Sequence, residues 1–476
     1  LVGQVFGKGL RLGFRFFVIR MLDAHAYGQI VLLISCSELA ARAGMLGFDR
    51  IALKHGAEVS KPDQAPAWVD LTRFCLLGSA LGGLLAGVAL YLLSPWLAQR
   101  FGTPELAPLL AITALGVPGL ALGGVATSAL QSIQRMRPYA LWGFVMAYAL
   151  ACALLLPVWA FDLGLRGAAA AIALGATLAG LGAASHALRA RKAASPLPRQ
   201  PRGPMLRFGA TMLLYMGAAQ LVQQLDRLML GAFMTPEDVG VYDIAALLAS
   251  HIPIFLMAFN AIVFPRIGAA YRAGHHDEVR SLFQLETRWV ILLSAPTFLA
   301  LTLLRDPIMA FFGPEFAPGA QVTAILSLAQ LLNAGVGPVG GVLIMTGHER
   351  QVLYNTLFLG ALNAVGNWLL IPRFGVLGAA LSTASSIAAW NLVSLLQVWL
   401  TLKVQPYNRA SAKLALVALV ALALGLALDA ALPPPWGPWL AAAAGLLAYA
   451  GLAYRFALQP EDYQIKDLLL QRLARR

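Results

Sequence analysis

The stretch TGHERQVLYNTLFLGALNAVGNWLLIPRFGVLGAALST, residues 346–383, reads as two membrane-spanning helices joined by a short turn. From Val352 to Ile371 the chain is predominantly apolar. About 20 such residues, rising 1.5 Å each, cross a hydrocarbon core. Pro372 and Gly375 interrupt that run, and a second one starts at Val376 and continues to Leu402.

Cutting the rest of the chain at its polar and Pro/Gly-rich breaks gives fourteen spans. The first seven run approximately Leu1 to Arg20, Tyr27 to Met45, Ala67 to Leu93, Leu106 to Ile133, Tyr139 to Ala160, Leu165 to Ala187 and Leu206 to Met234. The others are Val239 to Phe264, Ser281 to Leu304, Gln321 to Met345, the two already described, Lys413 to Leu428 and Trp436 to Tyr454. Composition agrees: of 476 residues 59% are apolar and 12% charged, against roughly 45–50% and 25% in soluble domains. The expected class is an all-α polytopic membrane protein. Cys36, Cys75 and Cys152 lie in apolar runs without CxxC or ligand-like spacing, so they read as packing residues, and no metal or cofactor is implied.

Lys and Arg supply a check independent of hydropathy, because they collect in cytoplasmic loops. Loops after odd-numbered spans hold only Arg20, Arg100, Arg166, Arg305 and Arg373, whereas those after even-numbered spans and the C-terminus hold clusters such as Arg42, Arg50, Lys54 and Lys61. Both termini are therefore expected in the cytoplasm. The net charge of +13 is chiefly topogenic and does not indicate nucleic acid. Trp68, Trp96, Trp142, Trp159, Trp368, Trp399, Trp436 and Trp439 fall near expected helix ends, as an interfacial aromatic belt would.

Self-comparison finds a repeat at an offset of about 212 residues. Gly28 in AYGQ matches Gly240 in DVGVY, and Gly164 and Gly167 in GLRGAA match Gly375 and Gly378 in GVLGAA. Arg137 matches Arg350, and Thr72-Arg73 before Phe74 matches Thr287-Arg288 before Trp289. The expected architecture is two six-helix lobes in parallel repeat, residues 1–188 and 207–404, joined by a cytoplasmic linker at 189–206. Two extra helices and a cytoplasmic tail occupy 405–476. An even helix number gives both lobes one orientation, with a pseudo-twofold axis along the membrane normal and a cavity between them.

The chain resembles the lipid-linked oligosaccharide flippases of bacterial polysaccharide export, in the same superfamily as the MATE multidrug transporters. LDAHAYGQ, QLDRLMLGAFMTPEDVGVY and the opening stretch carry the likeness, which covers essentially the whole chain. It implies translocation of an undecaprenyl-pyrophosphate-linked glycan from the cytoplasmic to the periplasmic leaflet of the inner membrane, without a cofactor. The implied partners are the lipid-linked glycan, membrane lipids and other polysaccharide-assembly membrane proteins, with no nucleic acid.

A charge in hydrocarbon costs about 2.5–3.5 kcal/mol on insertion scales and is a functional candidate by default. Lys8, Arg11 and Arg15 have i, i+3, i+7 spacing, which puts them on one helix face. At the repeat offset Arg15 maps onto Arg227, and Lys8 and Arg11 map onto Gln220 and Gln223. Guanidinium groups grip phosphate oxygens in pairs better than an ammonium does. Arg11, Arg15 and Arg227, with Lys8, are therefore candidates to hold a pyrophosphate headgroup. The alternative for Arg15 and Arg227 is snorkelling to the interface. Arg73 and Arg288, near the cytoplasmic face, carry the same two readings. Glu38 and Asp226 are expected as ion-pair partners or as coupling sites for protons or sodium, with Glu286 a further buried acid, and His251 reads as a hydrogen-bonded helix residue. Gly116, Pro118 and Gly119 in span four, and Gly335, Gly337 and Pro338 in span ten, predict matched kinks.

The rival reading is a cation-coupled multidrug exporter, whose cationic substrates call for acids where span one has three cations. An enzyme acting on the same lipid carrier would need a larger periplasmic loop and a catalytic motif; no P-loop, GxSxG or HExxH is present.

Overall fold

The computed structural model describes residues 2–61, 64–191 and 202–456. Residues 192–201 of the basic linker and the C-terminal stretch from 457, with Lys466, Arg472, Arg475 and Arg476, lie outside the described residues. Among the described residues there is no strand, and the chain is helical almost throughout.

The chain forms two compact units, Leu1–Asp243 and Ile244–Arg476. The first holds α1 (Val2–Met21), α2 (Ala24–Gly44), α3 (Phe48–Glu58), α4 (Ala65–Arg100), α5 (Leu106–Ala114), α6 (Val117–Ser132), α7 (Met136–Ala140), α8 (Met146–Ala160), α9 (Gly164–Arg189) and α10 (Arg202–Phe233). A π-helical turn, Leu141–Val145, joins α7 to α8. The unit boundary falls within α11 (Pro236–Ala249). The second unit continues with α12 (Ile254–Arg272), α13 (His276–Leu303), α14 (Arg305–Phe312), α15 (Gly319–Gly335), α16 (Val339–Met345), α17 (Glu349–Leu402), α18 (Arg409–Ala431) and α19 (Gly437–Phe456).

Among the described residues, eight helices are long and apolar enough to cross a membrane, or up to twelve if each sharply bent pair is one span. The protein is a multi-pass membrane protein. Two features separate this number from fourteen. Helix α1 carries Lys8, Arg11, Arg15 and Arg20, which take it out of the apolar class. Helix α17 runs through both spans of the 346–383 stretch, turning at Gly375, where φ is 57° and ψ −134°. A count of fourteen needs α1 as a span and α17 divided at that glycine.

The bends have local causes. Span two turns by 50° into α3 through Leu46 and Gly47, both with positive φ. A Cβ on Gly47 would stand 2.0 Å from the Gly209 carbonyl oxygen, so only glycine fits. Span four bends by 42° between α5 and α6, beside Gly116 and Pro118. Span ten breaks between α15 and α16, with Gly337 at φ +75°.

Within lipid no hydrophobic force drives helix against helix, so close approach and hydrogen bonds hold the bundle. In the first unit the contacts are made by small residues. Gly82 of α4 lies on the Gly44 backbone, Gly83 lies on Pro118, and Gly119 and Gly180 bring α6 and α9 into backbone contact. In the second unit amides join the two halves of α17. Asn355 donates from Nδ2 to Gln397 Oε1 at 2.7 Å and to Ser394 Oγ at 3.0 Å, and Gln397 Nε2 returns a bond to Asn355 Oδ1 at 3.1 Å. Asn363 donates to Thr383 Oγ1 at 3.1 Å and accepts from Asn367 at 3.3 Å. Replacing Asn355 with Leu leaves both partners unpaired and is expected to lower unfolding free energy in detergent by about 0.6–1.7 kcal/mol. An unchanged unfolding midpoint would remove this pair from the account of the second unit.

Six of the eight tryptophans assigned to an interfacial belt are at least 45% exposed: Trp96, Trp159, Trp368, Trp399, Trp436 and Trp439. Trp68 is not one of them. It is fully buried in the first unit's core and donates to Ser132 Oγ at 3.0 Å. Trp142 is also drawn inward, against Gly182 of α9.

A buried ionic cluster as candidate functional site

Three helices of the first unit bring polar side chains to one carboxylate on a fourth. Asp243 of α11 is 0% exposed. Its Oδ1 accepts from Arg227 Nε of α10 at 2.7 Å, and its Oδ2 accepts from the Tyr27 hydroxyl of α2 at 2.6 Å. Arg15 of α1 completes the set with Nη1 3.4 Å from Oδ2, and its guanidinium lies 5.8 Å from the Tyr27 ring. The local sequence explains each placement. Asp23 caps α2 by accepting from the Ala26 amide at 2.7 Å, starting the helix one turn before Tyr27. Gly28 then lets α2 touch the α11 backbone, because a Cβ there would stand 1.6 Å from the Pro236 carbonyl oxygen.

A second polar layer surrounds this core. The Tyr242 hydroxyl donates to Asp226 Oδ2 at 2.6 Å, Gln224 Nε2 donates to Glu38 Oε2 at 2.6 Å, and Arg227 Nη1 donates to the Gln223 carbonyl at 3.2 Å. Arg42 is held separately by Asp49 at 2.9 Å.

The candidates from the sequence divide as follows. Arg15 and Arg227 meet on Asp243. Arg11, one turn before Arg15 on α1, has its Nε buried without a hydrogen-bond partner among the described residues, and Lys8 is half-buried one turn further back. Glu38 and Asp226 lie beside the cluster, bonded to Gln224 and Tyr242. Arg73 is exposed on α4, and Arg288 is buried on α13 of the second unit. Neither joins the residues on Asp243. Glu286, also on α13, is 1% exposed, and neither carboxyl oxygen has a hydrogen-bond partner among the described residues. His251 has Nδ1 2.9 Å from the Leu247 carbonyl of its own helix.

Asp243, the centre of the cluster, was not among the sequence candidates. It falls within the expected span Val239 to Phe264, and an acid inside an apolar helix was the available signal. Its place one turn from Glu237 and Asp238 made it resemble the solvated end of that span. The repeat does not flag it either, since its match is Val31.

Arg15, Arg227, Arg11 and Lys8 against Asp243, Glu38 and Asp226 leave one net positive charge, with two guanidinium groups converging on a single carboxylate. Such a site suits an anion whose oxygens replace those of Asp243 on the guanidinium forks.

The family model described as polysaccharide biosynthesis protein matches residues 1–271, more than half of the chain. The chain belongs to this family. A second model, MatE, matches residues 212–369. Among curated proteins, the chain is 27% identical over 165 residues to the probable low-salt glycan biosynthesis flippase Agl15 of Haloferax volcanii, covering 34% of this chain and 35% of that protein. It is 26% identical over 337 residues to the succinoglycan biosynthesis transport protein ExoT of Rhizobium meliloti, covering 69% of this chain and 65% of that one. The chain thus spans less than two thirds of either relative's length. Among solved structures, the lipid II flippase MurJ in an inward closed conformation superposes with a TM-score of 0.75 at 14% identity, over 96% of this chain and 98% of that chain. An inward-facing MATE multidrug transporter of the MOP superfamily gives 0.65 at 15% identity, over 83% and 94%. At these identities the likeness is one of fold. This family member has the fold shared by MurJ and the MATE transporters.

Proposed function

We propose that the protein is a flippase that moves an undecaprenyl-pyrophosphate-linked oligosaccharide from the cytoplasmic to the periplasmic leaflet by alternating access, for polysaccharide export. The observation that carries this reading is the cationic excess around Asp243: Arg15 and Arg227 share one carboxylate while Arg11 and Lys8 stand on the same face of α1. Family membership and the likeness to the Agl15 and ExoT proteins support the glycan pathway.

In this mechanism the two six-helix repeats, 1–188 and 207–404, are the moving lobes. Asp243 ties α1 and α2 of one repeat to α10 and α11 of the other. A pyrophosphate entering from the cytoplasm competes with Asp243 for the guanidinium groups of Arg15 and Arg227, with Arg11 and Lys8 adding charge. Occupancy thereby breaks the tie between the repeats, and the headgroup leaves on the opposite side as the carboxylate takes the guanidiniums back. Arg73 and Arg288 act earlier, as headgroup contacts near the cytoplasmic face. Glu38 and Asp226 are the acids placed to couple transport to a cation. The glycan-bearing lipid is the substrate, and companion membrane proteins of polysaccharide assembly supply and receive it.

The test is binding of farnesyl pyrophosphate, a soluble analogue of the carrier, to purified protein. The comparison is with Arg15→Gln/Arg227→Gln/Asp243→Asn, which neutralises the cluster without leaving a buried charge alone. Two lost charge-assisted contacts at about 1.5–3 kcal/mol each predict a fall in affinity of about a hundredfold at the least, and wild-type binding that weakens with salt. The MatE match over 212–369 makes a cation-coupled multidrug exporter the second reading. Binding of a cationic dye, undiminished in the triple variant and with no affinity for the lipid, would decide for the exporter.

A further inference from the structure

The first unit contains a cavity of about 340 Å³ that the ionic cluster does not use. It lies between α2, α6, α9, α10 and the π-helical turn, and its functional side chains are Glu38, Arg42, Thr127, Trp142 and Gln220. This volume is at the lower end of the ~300–1,000 Å³ typical of small-molecule sites.

The cavity results from two local features. The π-turn at Leu141–Val145 widens the backbone by one residue, a distortion often found at functional sites, and presents Trp142 and Gly143 to the cavity. The facing walls are low because α6 and α9 pack backbone on backbone, a Cβ on Gly180 standing 2.0 Å from the Gly119 carbonyl oxygen, and small residues such as Gly123, Ala176 and Ala179 line the cavity there. Trp142 is fixed in place, because its six-membered ring rests on Gly182, where a Cβ would come within 2.2 Å of it.

The polar groups of the wall select a ligand class. Thr127 donates its hydroxyl to the Gly123 carbonyl at 2.9 Å and to the Gly124 carbonyl at 3.0 Å, so toward a ligand its oxygen accepts. Glu38 is oriented by its 2.6 Å bond from Gln224. Arg42 is paired with Asp49 at 2.9 Å, so the wall presents a neutralised ion pair beside the Glu38 carboxylate and no second guanidinium with which to grip a phosphate. A neutral sugar fits what remains: its C–H face meets an aromatic ring, and its hydroxyls both donate and accept toward a carboxylate, an amide and a hydroxyl oxygen.

Position supports the same occupant. Gln220 of the cavity and Arg227 of the ionic cluster are on one helix, roughly 10 Å apart along its axis, a separation that a pyrophosphate and its first sugar can bridge. Gly7 of α1 packs on Phe144 of the same π-turn, bringing the cationic helix against the cavity's own wall.

We infer that this cavity is a sugar-binding pocket for the first residue of the lipid-linked glycan, with Trp142, Glu38 and Gln220 as its specificity-determining side chains. The inference rests on the flippase reading, and its test separates the two. Purified full-length protein is titrated with farnesyl pyrophosphate and with farnesyl pyrophosphates bearing a single glucose, galactose or N-acetylglucosamine. In the wild type at least one sugar raises affinity by about tenfold over the sugar-free lipid. That increment disappears in Trp142→Leu and in Gly143→Leu. The second variant fills the cavity from a position where a Cβ meets only the Thr127 methyl at 3.7 Å, so it stays informative if the first folds poorly. The inference is overturned if no sugar adds affinity while the sugar-free lipid binds, or if the increment survives both variants. Failure of every pyrophosphate to bind would overturn the flippase reading, and the pocket's role with it.

Discussion

Asp243→Asn is expected to lower the stability of the protein by about 3–5 kcal/mol, the range seen when one partner of a buried ion pair is removed. The magnitude follows from what remains. Arg15, 3% exposed at its side chain, and Arg227, 15% exposed, would face each other without the carboxylate that separates and neutralises them. The amide also has one acceptor oxygen where the carboxylate has two, so either Tyr27 or Arg227 loses its acceptor. Thermal unfolding in detergent of Asp243→Asn, Arg15→Gln and the double variant provides the check. Residues sharing one network couple by about 0.5–3 kcal/mol, and here the double variant should be clearly less damaged than the two single losses combined. Strict additivity would mean that Arg15 and Asp243 do not stabilise each other, and the cluster would no longer account for the joining of four helices.

A comparable loss is expected from Gly28→Ala, although it changes no charge. The added Cβ would stand 1.6 Å from the Pro236 carbonyl oxygen and 2.3 Å from its carbon. The obstacle is backbone, so α2 and α11 must separate, which carries Tyr27 away from Asp243. Overpacking of this kind costs about 1–3 kcal/mol, and the lost Tyr27 bond adds to it. The separation can be read directly. His25 and Glu237 meet at 3.5 Å on the exposed side of the same contact. In a background lacking Cys36, Cys75 and Cys152, cysteines at positions 25 and 237 should cross-link readily with Gly28 in place and poorly with alanine there. Equal cross-linking and an unchanged unfolding midpoint would show that the close approach is unnecessary for the cluster.

Both experiments bear on residues of unequal legibility. Gly28 belongs to the repeat found by self-comparison. Arg15 and Arg227 were visible because a cation in an apolar run is expensive wherever the helix packs. Asp243 was not, because its local setting, one turn after two acids, is that of a helix end. Trp142 was read as an interfacial anchor for the same reason. Nothing local distinguishes it from Trp159, yet one lies on a glycine beside a cavity and the other is 63% exposed.

The apolar excess, the Pro/Gly breaks and the cations of α1 depend on composition and on periods of a few residues, so the amino-acid sequence by itself determined an all-helical membrane protein, its main kinks and a cationic stripe on its first helix. Which carboxylate meets that stripe, whether Glu38 pairs with a cation or an amide, and where Trp142 points depend on contacts between residues far apart in the chain. Asp243 and Arg15 are separated by most of the first unit, and only the packing of α1, α2, α10 and α11, set by small residues such as Gly28, brings them together. The tertiary structure decided these points because helix contacts in lipid are specified by close fit between surfaces rather than by hydrophobicity, and fit cannot be read along one strand of sequence.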